Sequence, residues 1–136
     1  MKRWAALLFL SLLVVVTVIV TQQARSEHEK KEREAQFQSI LRRYSEALKP
    51  GMTRKDVEAY LAAHQAKFSR FPVDDPNAYA DITRIGEGDG HWYCSREDIY
   101  LAFQFIADPM RSGLPSALPS DTLKKITLYP KLEDCL

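Results

Sequence analysis

The chain lacks a surplus of either charge. Its 136 residues carry 19 Lys and Arg against 18 Asp and Glu. With Lys2 and Arg3 set aside, 17 basic residues face 18 acidic ones. Binders of phosphate backbones carry a basic stripe or patch, so no nucleic-acid partner is expected of so even a mixture. The basic pairs Arg42-Arg43, Arg54-Lys55 and Lys124-Lys125 are scattered and read as solvated faces, the first also suiting anionic lipid head groups. Cysteine is scarce, with Cys94 and Cys135 the only two, and neither lies near the end of the N-terminal apolar run. That excludes lipid attachment at that point. A zinc site wants four ligands, and His91-Trp92-Tyr93-Cys94 with Cys135 offers no second pair at the usual spacing. Glu87 and Asp89 in "GEGDG" fall short of a calcium loop, and Asp74 and Asp75 read as turn residues. Cys94 beside His64 or His91 has no orienting third residue for nucleophilic work. No catalytic residue, metal or cofactor is therefore expected, with a thiol or metal enzyme using Cys94 kept as the catalytic alternative.

What the chain does have is a greasy start. "MKRWAALLFLSLLVVVTVIVTQQA" carries no charge from Trp4 to Ala24. At about 1.5 Å per residue this run reaches roughly 31 Å, close to the hydrocarbon thickness of a bilayer. Residues 1–24 are thus expected to form a transmembrane signal anchor, crossing through residues 4–24. A cleaved secretory signal is the alternative, but Gln22-Gln23-Ala24 has Gln where a small residue is wanted. Basic residues flank both ends almost equally. A short basic head before the first apolar segment still favours a cytoplasmic N-terminus.

Residues 25–36 read as a charged helical stalk, polar all round from Ser26 to Glu34, with Glu27–Lys31 and Glu29–Arg33 as i,i+4 pairs. From Phe37 a stripe appears at Ile40, Leu41, Tyr44 and Leu48, the spacing of one buried helical face. It serves either the chain's own domain or a short coiled coil. Pro50 and Gly51 stop that helix, and Thr53 caps the next, with Asp56 as a short-acid capping box. Met52 and Val57 suit a hydrophobic staple, and Val57, Tyr60, Leu61 and His64 form an inner face. "PGMTRKDV" therefore predicts two helices meeting at a sharp, fixed angle. "FSRFPVDDPNAYA" reads as a loop, "DITRIG" as a short strand and "HWYC" as an apolar, aromatic segment, with "SRED" a turn. "IYLAFQFIA" is the strongest strand, with Ile99, Leu101, Phe103 and Phe105 on one face. A Pro-containing loop runs from Asp108 to Asp121, and "TLKKITLYP" closes as a strand. The expected fold is α+β: residues 37–136 as a two-layer domain, two helices on a three- to four-stranded antiparallel sheet.

Gly51-Met52-Thr53 followed by Asp56-Val57 and Leu61, in this order of elements after an exported anchor, resembles the SmpA/OmlA (BamE-like) superfamily of small periplasmic domains. Those share an ααβββ layout with beta-lactamase inhibitor proteins. The resemblance covers residues 37–136 and implies a binding module of the cell envelope, not an enzyme. Members of the outer-membrane assembly branch are lipoproteins, and this chain has no lipidation cysteine.

In an exported domain the even cysteine count suggests a Cys94–Cys135 disulfide. Two free thiols would follow from a cytoplasmic location, and a metal pair is the third option. The aromatics Tyr79, Trp92, Tyr93 and Tyr100 are core residues or, where exposed beside the 108–121 loop, a binding patch. The expected protein is a single-pass inner-membrane protein of a bacterial envelope. Its extracytoplasmic module binds another envelope protein. The alternatives are secretion after signal cleavage and a single-pass assembly factor that associates through its stalk helix.

Overall fold

The computed structural model of the chain describes residues 2–72, 78–90, 92–107 and 117–135, with side chains from Leu12 onward and without that of Pro72. The turn expected at Asp74-Asp75, His91 and most of the Asp108–Asp121 loop lie outside the described residues. Two compact units are present, Met1–Gln36 and Phe37–Leu136. The elements are α1 (Lys2–Ala47), α2 (Arg54–Ala63), β1 (Ser69–Pro72), β2 (Ala78–Glu87), β3 (Cys94–Ile106) and β4 (Thr122–Cys135). The class is α+β, with one long helix and one four-stranded antiparallel sheet ordered β1-β2-β3-β4.

In the first unit the apolar run is helical. Leu12, Leu13, Val14, Val15, Val16, Val18, Ile19 and Val20 are 47–61% exposed. The expectation of a bilayer-crossing segment at 4–24 is not supported: among the described residues no helix is long and apolar enough to cross a membrane. The charges from Arg25 onward end the apolar stretch, and the side chains of its first part lie outside the description.

In the second unit the stripe of α1 packs on the sheet. Tyr44 and Leu48, with Val57 and Leu61 of α2, join Tyr79, Leu101, Phe103, Phe105 and Leu123 in the main core. Ile40, Leu41 and Met52 pack against them. Phe103 lies at the centre, edge-to-face with Tyr44 at 5.9 Å. Each such fully buried apolar side chain contributes about 1.5–3 kcal/mol. Gly86 sits at a bulge of β2 beneath Phe37, where a Cβ would come within 2.7 Å of the ring.

The junction between the helices is built as its chemistry dictates. Gly51 has φ +90°, a conformation that side chains resist. Thr53 is the N-cap of α2 and accepts from the Asp56 N–H at 3.3 Å. Its hydroxyl donates to Asp56 Oδ2 at 2.6 Å. The loop also meets the start of β4. Gly51 N–H donates to the Leu123 carbonyl and Leu123 N–H to that of Met52, each at 2.8 Å. Arg54 and Lys55 amides donate to the carbonyls of Asp121 and Pro119. The first turn of α2, whose amides have no partner inside the helix, is thus satisfied by the approach to β4.

The strands depart from expectation in four places. The expected loop after Lys67 contains β1, and β2 begins at Ala78 rather than Asp81. Nearby Pro and Asp residues masked this pairing. Within "HWYC", Trp92 and Tyr93 form a turn and pairing starts at Cys94. "SRED" lies inside β3, where Asp98 is neutralised by Arg84 across the ladder and by Arg96 on its own strand rather than turned to solvent. β4 continues through Pro130 to Cys135. An edge strand tolerates proline, since the missing N–H need not face a neighbour. His64, expected on the inner face of α2, is the exposed C-cap, stacked on Tyr60 at 4.1 Å.

The face of the sheet away from the helices holds a second, smaller cluster. Ala80, Ile82 and Ala102 are buried there, with Phe71, Tyr100 and Tyr129 over them. Phe71 and Tyr129 belong to opposite edge strands, yet their rings lie 5.1 Å apart. Three interstrand spacings of about 4.8 Å would hold those strands roughly 14 Å apart in a flat sheet. The sheet therefore curls toward this face, helped by bulges at Arg84/Gly86 and Gln104/Phe105.

Candidate functional site

The β2–β3 hairpin and the end of β4 form the most unusual surface. Cys94 faces Cys135 across the β3–β4 ladder, and the two are joined by a disulfide. The bridge fastens the terminal strand beside the hairpin. Gly88 N–H donates to the Glu97 carbonyl at 2.9 Å and closes the hairpin on its other side. Between these two ties stand Trp92 and Tyr93, edge-to-face at 5.5 Å. Trp92 is 92% exposed. Leaving a whole indole in water forfeits a large hydrophobic gain.

A charged cluster lies directly behind. Asp98 is only 2% exposed. Its Oδ1 accepts from Arg84 Nε and Nη2, both at 2.9 Å, and from Arg96 Nε at 3.1 Å. Arg84 also reaches Glu87 at 2.5 Å, and Lys131 pairs with Glu133 at 2.7 Å. The hydrogen bond from Arg84 holds the Asp98 carboxyl below the ordinary carboxylate range, and the same bond raises the Arg84 guanidinium. A depressed carboxyl stabilises the fold above its unfolded value, near pH 4, and that stability is lost as pH falls through the folded value. Asp98→Asn should therefore be less stable than wild type at pH 7, with the gap narrowing below about pH 4. Urea midpoints at pH 7 and pH 3 measure this, and parallel pH profiles would refute it.

The remaining aromatics fall elsewhere. Tyr79 is buried on the helix-facing side, donating to Asp121 Oδ2 at 2.8 Å. Burial and that hydrogen bond raise its pKa. Tyr100 lies on the opposite face, in the cluster with Phe71 and Tyr129. The four aromatics singled out from sequence thus make three separate environments. Gly51, Met52, Thr53, Asp56 and Val57 form the helix junction, away from the hairpin in the ladder.

Sequence reasoning missed Phe71 and Tyr129, and it missed the role of Arg84 and Arg96 around Asp98. It also missed the buried pair of Arg54 Nε with Asp81 Oδ2 at 2.9 Å, where Arg54 Nη2 also meets Glu58 at 2.6 Å. Alternation places Asp81 on the face of Tyr79 and Thr83, a signal open only once β2 is known to start at Ala78. Among the described residues no group of three or more His, Cys, Asp or Glu gathers where a metal ion would sit. The Cys94 sulfur is bonded to Cys135 and offers no thiolate in this form. Comparison with protein-family models, curated proteins and solved structures returns no match.

Proposed function

We propose that the chain is a membrane-anchored module of a bacterial cell envelope that binds another protein and performs no chemistry of its own. The observation that carries the binding is Trp92, a large aromatic held out in water between a disulfide and a hairpin hydrogen bond. Rigid exposed aromatics are the usual anchors of interfaces. Two other features support the location. The disulfide suits an oxidising compartment. The exposed apolar side chains from Leu12 to Val20, in line with the uncharged run from Trp4 to Ala24, suit a lipid cover. In this reading the N-terminus is cytoplasmic and residues 37–136 are periplasmic. The "GMTRKDV" junction and the order of helices and strands support a BamE-like ancestry.

The rival reading, assembly through the stalk helix, gains nothing from the apolar stripe of α1, because that stripe is occupied by the chain's own sheet. The test is chemical crosslinking in intact cells, followed by purification from the membrane fraction. One reproducible protein adduct is expected. Protease added outside spheroplasts should remove residues 37–136. Absence of any reproducible adduct, or a protected domain, would overturn the proposal.

A further inference from the structure

The hairpin end carries a charge bias that the whole chain does not. Its strands and turn bring together Glu87, Asp89, Glu97, Asp98, Glu133 and Asp134. The bases there are Arg84, Arg96 and Lys131. Each of the three is already engaged by an acid of the same end. This end is therefore net negative by three, in a chain whose formal net charge is +1. Trp92 projects from the middle of it. Tryptophan is also the best side-chain partner for a cation over its ring face.

We propose that this acidic, tryptophan-tipped hairpin docks into a Lys- or Arg-lined socket on a partner protein, with Trp92 filling the socket and the acids steering the approach. The inference rests on the protein-binding reading above and names the chemistry of the partner. An anionic lipid surface is the less fitting occupant. It would attract the indole but repel the carboxylates around it. The disulfide and the Gly88–Glu97 hydrogen bond tie the two ends of the hairpin turn, which lowers the ordering cost of docking.

The full chain in its own membranes, with a photoreactive benzoylphenylalanine replacing Trp92, tests this. The same probe at Tyr129 or Leu118 serves as comparison. A discrete protein adduct is expected at position 92, mapping to a peptide flanked by Lys or Arg. Its yield should fall roughly tenfold in the Glu97→Lys/Asp134→Lys double variant, as loss of steering charges predicts. Recovery on reversing the mapped partner bases to Glu would complete the case. Three outcomes overturn the inference: phospholipid adducts at position 92, a protein adduct indifferent to charge reversal, or adducts at Tyr129 or Leu118 with none at 92. The last would leave protein binding standing and move it to another face. Absence of adducts at all three positions would bring down both.

Discussion

Arg54→Ala should lower the unfolding free energy by about 3–5 kcal/mol, the usual result of breaking a buried ion pair from one side. Arg54 is 8% exposed, and its guanidinium meets Asp81, itself 1% exposed. Asp81 Oδ1 has no partner among the described residues, so its other oxygen depends on Arg54. Desolvation works against the Arg54 charge, but the hydrogen bond and the charge of Asp81 outweigh it and raise its pKa. Removing the arginine strands the carboxylate in the core. An apolar replacement of both partners, Arg54→Met with Asp81→Leu, should recover most of the loss. Urea unfolding of the single and double variants measures this. A single variant within about 1 kcal/mol of wild type would show that water, not Arg54, satisfies Asp81.

The second large effect belongs to the disulfide. The bridge joins residues 41 apart in sequence. Closing a loop of that length removes unfolded-chain entropy worth about 4 kcal/mol in the chain-entropy model. Cys94→Ser with Cys135→Ser should approach that loss, with faster amide exchange at the hairpin end of β4. The faster exchange should be concentrated there, since the far end of β4 is tied separately through Leu123 to the helix junction. An unchanged urea midpoint would mean that the β3–β4 ladder alone fixes this end.

These two effects differ in how far the sequence announced them. The cysteine pair was legible, because a chain with only two cysteines leaves few options. The cap at Thr53 and the stop at Gly51 were legible for the same reason: their chemistry is local. So was the alternating face of Leu101, Phe103 and Phe105, all fully buried. What was hidden required partners distant in the chain. Arg54 looked like half of a surface basic pair, and only pairing with β2 makes it a core residue. β1 looked like a loop, since four residues ending in proline carry almost no strand signal. Trp92 and Tyr93 carried no turn signal of their own, since aromatics favour strands. Their placement in a turn follows from the ladder beginning one residue later, at Cys94. Phe71 and Tyr129 could not be paired from pattern alone, since only the curl of the sheet joins them.

That sheet is also a meander in which each strand lies beside its neighbour in the chain. Such hairpins form early, because little chain must be looped to bring their halves together. The bridge of Thr53 with Thr122 is different, since it spans the helix α2 and three strands. The helical junction therefore waits for the last strand to emerge. A chain interrupted before Pro119 would keep its β2–β3 hairpin but leave the Arg54 and Lys55 amides without the carbonyls of Asp121 and Pro119 that answer them.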